Sequence, residues 1–117
     1  MGGAGAGVDH AHRAAGTLGT DEETAGALER AAESHRDRAG HAAAARALVQ
    51  SARLSANAAQ RARRSLLAAD DARRAGRWEW AESLVSEARA NAPDRLLRAR
   101  ADLIQGHIES RSAAQQR

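Results

Sequence analysis

From residue 20 onward, apolar residues recur at the three- and four-residue intervals of an α-helix, and polar punctuation separates five such stretches. Thr20-Asp21-Glu22-Glu23 has capping-box form, with Thr20 as N-cap and acids in the first turn; a helix is predicted from there to about Ala39, stopping at Gly40 as its C′ residue. A second helix spans His41 to about Ser55 and carries the stripe Ala45, Leu48, Val49 and Ala52. Asn57 with Gln60 opens a third, which buries Ala62, Leu66, Ala69 and Ala72 and ends at Gly76. The fourth runs from about Trp78 to Ala90 with the stripe Ala81, Leu84, Val85 and Ala88. Asn91-Ala92-Pro93 breaks it. Pro93 then suits the first position of a fifth helix, predicted to bury Ala99, Leu103, Ile104 and Gly106 before fraying into a polar tail, residues 111–117. Residues 1–19 hold six glycines, too many for a stable isolated helix, and read as a flexible Gly/Ala-rich lead-in.

The pattern repeats. Gly40 and Gly76 are 36 residues apart, and Ala45/Leu48/Val49/Ala52 recurs at the same displacement as Ala81/Leu84/Val85/Ala88. Asn57 and Pro93, each just after a second helix, keep that register. A helix–turn–helix unit of this period resembles a tetratricopeptide repeat. The second unit matches best, with small Ala69, turn Gly76, aromatic Trp78, then Ala81, Ala88 and Pro93. The first has Ala42 at the aromatic position, Asn57 for the proline and Glu33 where a small residue belongs. The expected fold is therefore all-α: antiparallel helix pairs stacked as a short tetratricopeptide-like solenoid of two and a half repeats over residues 20–110.

Composition sharpens this. All 18 basic residues are Arg; Cys, Phe and Tyr are absent, and the aromatics are Trp78 and Trp80. A core must come from Ala, Leu and a few Val and Ile, which suits closely approaching helices and not a β-sandwich. The net charge is only +3, with 15 acids interspersed, and Asp70/Arg74 and Asp94/Arg98 have the spacing of helix-surface pairs. Without cysteine there is no disulfide or thiolate metal site, and no apolar run approaches membrane-spanning length, so the expected location is cytoplasmic.

A more specific resemblance rests on Ala27-Leu28-Glu29-Arg30-Ala31-Ala32-Glu33 followed by Gly40-His41-Ala42-Ala43-Ala44-Ala45. Ala62-Arg63-Arg64 leading to Leu66-Leu67-Ala68-Ala69 and Ala75-Gly76 supports it, as does Asp94-Arg95 leading to Arg98-Ala99-Arg100-Ala101. These strings resemble the helical-repeat middle of large LuxR-type transcriptional regulators. Such regulators place an ATPase module before the repeats and a DNA-binding helix-turn-helix after them. No phosphate loop can be drawn here, since there is no Lys, and no recognition helix follows a tight turn. ATP and DNA binding are thus implied for relatives, DNA being reached only through a module absent from this chain. The fifth helix lacks a partner, so the chain is expected to be a piece of a larger regulator, with possible self-association through that helix.

Candidate chemistry is sparse. His10 and His12 are two residues apart with no third ligand nearby, and His35 with Asp37 or His107 with Glu109 has no nucleophile tied to it. Asp70-Asp71 reads as a solvated face and Glu22-Glu23 as complement to the helix dipole. The residues expected to meet a protein partner are Arg30, Glu33, Arg63, Asp70 and Arg73, lining a groove of first helices, with Trp80 as an exposed contact and Trp78 in the core. No cofactor, metal or catalytic residue is expected. The function predicted is a non-catalytic scaffold; the rivals are a stand-alone adapter for a peptide or protein, and a nucleic-acid module using Arg61, Arg63, Arg64, Arg73, Arg74 and Arg77.

Overall fold

In the computed structural model, residues 19–115 are described, and they are all-α. Five helices follow one another: α1 (Glu22–Asp37), α2 (His41–Leu54), α3 (Ala58–Arg74), α4 (Trp78–Asn91) and α5 (Arg95–Gln115). Each packs on its sequence neighbour, consecutive helices running in roughly opposite directions, and α3 also touches α5. The lead-in expected at residues 1–19, with His10 and His12, falls outside the described residues except for Gly19. Among the described residues, no helix is long and apolar enough to cross a membrane.

Alanine makes the seams. Among the described residues, 12 of the 18 buried apolar ones are Ala, including Ala25, Ala32, Ala62, Ala69, Ala81 and Ala88, each with no exposed surface. The larger contributors are Leu48, Leu66, Leu84, Val85, Leu97 and Ile108. Side chains this small let helix backbones approach closely, at little cost in side-chain entropy. The predicted stripes on α2, α3 and α4 all face the core, with Val49 only half-buried.

The helix ends show why the chain turns where it does. Asp21, not the expected Thr20, caps α1, its carboxylate accepting the Thr24 N–H at 3.1 Å. Asn57 caps α3 through the Gln60 N–H at 2.8 Å, and Asp94 accepts the Leu97 N–H at 2.9 Å at the start of α5. The three capping residues are thus spaced 36 and 37 apart (21, 57 and 94). Pro93 therefore stands before the cap and not inside the helix. Asp94, occupied at the cap, makes no surface pair with Arg98, whose guanidinium instead bonds the Ala92 carbonyl at 3.3 Å.

Both hairpin turns carry the paired hydrogen bonds of a Schellman motif. After α1, Gly40 N–H reaches the His35 carbonyl at 2.7 Å and Ala39 N–H the Arg36 carbonyl at 2.9 Å. After α3, Arg77 N–H reaches Ala72 at 2.8 Å and Gly76 N–H reaches Arg73 at 2.9 Å. The left-handed residues are Ala39 (φ 61°) and Gly76 (φ 77°), 37 apart. Gly40 was expected to hold that position but has φ −92° and stands at the start of α2. The expected Gly40–Gly76 match is one residue out of register, because glycine was taken as the mark of a turn whose left-handed residue is alanine. Gly40 answers to space instead: a Cβ there would lie 3.0 Å from the His35 carbonyl oxygen.

The fifth helix differs most from expectation. It buries Leu97, Ala101 and Ile108, half-buries Ile104, and leaves Ala99, Leu103 and Gly106 exposed. It continues to Gln115, into the stretch expected to be a polar tail at residues 111–117. The face predicted to be buried is the one that a following helix covers in the two preceding hairpins, where Ala25/Ala32 and Ala62/Leu66/Ala69 are buried.

Because a left-handed alanine carries a steric cost that glycine avoids, Ala39→Gly is expected to raise stability by about 0.5–1 kcal/mol. Gly76→Ala, at the matching position, should lower it by about 1 kcal/mol. Urea denaturation of the two variants checks both; a loss of stability in Ala39→Gly would place the turn elsewhere.

Candidate functional site

Besides packing on α2 and α4, α3 faces α1 on one side and α5 on another, and the two sides are built differently. α1 meets α3 through charged side chains. Arg64, its side chain only 4% exposed, reaches Glu22 at 2.7 Å and Glu29 at 2.9 Å, and donates to Ser55 Oγ at 2.8 Å. Ser55 Oγ in turn donates to the Ser51 carbonyl at 2.8 Å, and Ser51 Oγ to the Ala25 carbonyl at 2.6 Å, joining α2 to α1. Arg63 grips Glu29 with both terminal nitrogens, at 2.9 and 2.7 Å. Two turns further along, buried Asp71 accepts Arg36 Nε at 2.9 Å and lies 3.0 Å from His41 Nδ1. Arg64, Ala68 and Asp71 fall at i, i+4 and i+7, so one stripe of α3 presents a cation and an anion to opposite charges from α1.

The seam between α3 and α5 is open. It forms a groove of about 370 Å³ floored by Leu66, Leu67, Leu103 and Ile104. Arg63, Arg73, Arg74 and Arg100 stand around it, with Asp70 and His107. Asp70 is bound to Arg73 at 2.7 Å and to Arg74 at 3.2 Å, the latter being the predicted surface pair. The lining has a register: Arg63, Leu66, Leu67 and Asp70 on α3 are matched 37 residues later by Arg100, Leu103, Ile104 and His107 on α5.

Of the residues expected to meet a partner, Arg63, Asp70 and Arg73 come together in this groove. Arg30 and Glu33 do not; they are exposed on α1, away from its lining. Trp80 is half-buried against the core, with the Arg77 guanidinium 5.4 Å from its ring centre, so it is less open than expected. Trp78 is also half-buried and packs on the core, with Arg111 5.8 Å above it. The expected solvated Asp70-Asp71 face is corrected by Asp71, 2% exposed and doubly partnered. Glu22 likewise does more than complement a dipole, since it binds Arg64 and accepts the Ala56 N–H at 3.2 Å. Arg100, Leu103, Ile104 and His107 were not named as groove residues; the 37-residue register from Arg63 to Asp70 is the signal that finds them.

These ion pairs shift their carboxylates. The Arg64 hydrogen bond, working against burial, holds Glu22 below its ordinary 4.5. Glu29 is held below 4.5 chiefly by Arg63, opposed by burial and helped by Arg64. Among the described residues, no three His, Cys, Asp or Glu side chains are placed to hold a metal ion. Comparisons with protein-family models, curated proteins and solved structures return no match.

Arg64→Ala removes the partner of two carboxylates and a buried hydroxyl, and is expected to cost about 3 kcal/mol by urea denaturation. Since both glutamates have lowered folded values, their contribution is complete above 4.5 and fades as pH falls through those values. The unfolded chain binds more protons in that window, so stability should rise with pH across it. In Arg64→Ala that slope should flatten; an unchanged acid slope would mean that other groups set it.

Proposed function

We propose that this chain is a non-catalytic helical-repeat scaffold that makes protein contacts, resembling the tetratricopeptide-like middle of a LuxR-type regulator. Its helices form a right-handed stack of two and a half units, with α1, α3 and α5 as first helices and α2 and α4 as second helices. The observation that carries this reading is the recurrence of turn chemistry: capping Asp21, Asn57 and Asp94 at 36 and 37 residues, and left-handed Ala39 and Gly76 at 37. Contact between α3 and α5, in addition to each helix and its neighbour, is what stacked hairpins require. In such a regulator the stack relays contacts between flanking modules; ATP and DNA would be handled by those modules.

The open groove favours a second reading, a stand-alone adapter that holds a partner segment there. A nucleic-acid module finds less support. Of its six arginines, Arg63, Arg64, Arg73 and Arg74 are engaged by carboxylates of the same chain, which leaves fewer charges to displace counterions from phosphate.

Sequencing the DNA on both sides of the coding region tests the first reading. A phosphate-loop ATPase upstream and a helix-turn-helix downstream, in frame or one frameshift away, is the expected result. Unrelated genes on both sides would remove the regulator and leave the adapter.

A further inference from the structure

The two seams of α3 differ at one equivalent position. Glu29 on α1, Leu66 on α3 and Leu103 on α5 are each displaced by 37 residues. Where α1 brings the Glu29 carboxylate to Arg63, α3 brings Leu66 to the side of Arg100, and Leu103 beside them is 61% exposed. Arg100, which matches Arg63 in that register, is exposed and meets no acid among the described residues. Four guanidinium groups (Arg63, Arg73, Arg74 and Arg100) thus stand against the carboxylates of Asp70 and Glu29, leaving an excess of two positive charges around an aliphatic floor.

We infer that the α3–α5 groove is the recognition site for an acidic partner segment anchored by an aliphatic side chain. The inference rests on the scaffold reading and gives its contact surface a chemistry. Leu66, Leu67, Leu103 and Ile104 receive the anchor, removing apolar surface from water. Arg100, exposed and meeting no acid of its own chain among the described residues, meets a carboxylate beside the anchor. A nucleic acid would satisfy the arginines and leave the aliphatic floor without an apolar contact. The chemistry therefore selects a peptide over a polyphosphate.

The probe is a short fluorescein-labelled peptide in which a Leu–Leu pair is flanked by Glu and Asp, titrated with the full chain and read by anisotropy at low salt. Leu103→Ala and Arg100→Glu, both at exposed positions, should each weaken binding about tenfold or more. Arg46→Glu, exposed on α2 away from the groove, should leave it unchanged. Thermal melts followed by circular dichroism confirm that the variants stay folded. Absence of binding at low salt overturns the proposal. So does binding that Leu103→Ala leaves intact and heparin matches, which would reduce the groove to charge. Sedimentation showing a dimer that Leu103→Ala disperses would assign the groove to a second copy instead. None of these results alters what the flanking genes say about the scaffold, so the two readings fail separately.

Discussion

Alanine sets the distance between these helices, and most else follows from it. Among the described residues 12 of the 18 buried apolar ones are Ala, so the seams between consecutive helices offer few apolar atoms per residue. A narrow seam also traps whatever polar groups lie along it. Arg64 and Asp71, on the α3 stripe that includes Ala68, could not remain buried without partners from α1 and α2. They have them, and among the described residues no buried side-chain nitrogen or oxygen lacks one. Those partners tie α1 and the start of α2 to α3.

The same logic explains the open side. Glu29 on α1 binds two arginines of α3, whereas Leu66, the matching residue on α3, offers no charge to Arg100 on α5. A charged face toward α1 and an aliphatic, arginine-rimmed groove toward α5 thus lie on the same helix. The scaffold reading uses this asymmetry: one end of the stack is stitched internally and the other presents surface.

Much of the fold was legible in the sequence. Stripes such as Ala81/Leu84/Val85/Ala88 gave the helix positions, because a 3.6-residue period survives even when the apolar residues are mostly alanine. Turn detail was less legible. A glycine beside a left-handed alanine draws the assignment to itself, and so Gly40 was taken for Ala39. Burial of α5 was misjudged for a tertiary reason. Ala99, Leu103 and Gly106 carry the pattern of a covered face, but a pattern records suitability for burial and not the presence of a cover. Asp71 was hidden by its neighbour Asp70, since two adjacent acids read as solvent-facing until Arg36 and His41 are known to converge on one of them. Within the groove, Arg63, Asp70 and Arg73 were recognised on α3 while the α5 wall was not, because its residues stand out only when the α3 positions are compared with those 37 residues later.

The account depends on charges across the α1–α3 seam acting as true couplings. The direct measurement is a double-mutant cycle on Arg36→Ala and Asp71→Ala, with stability of the four proteins read by urea denaturation. A favourable coupling energy of about 1–3 kcal/mol is predicted, because Asp71 is buried and its hydrogen bonds to Arg36 are well formed. Additive effects, with coupling near zero, would contradict the account and leave α1 held by its packing on α2.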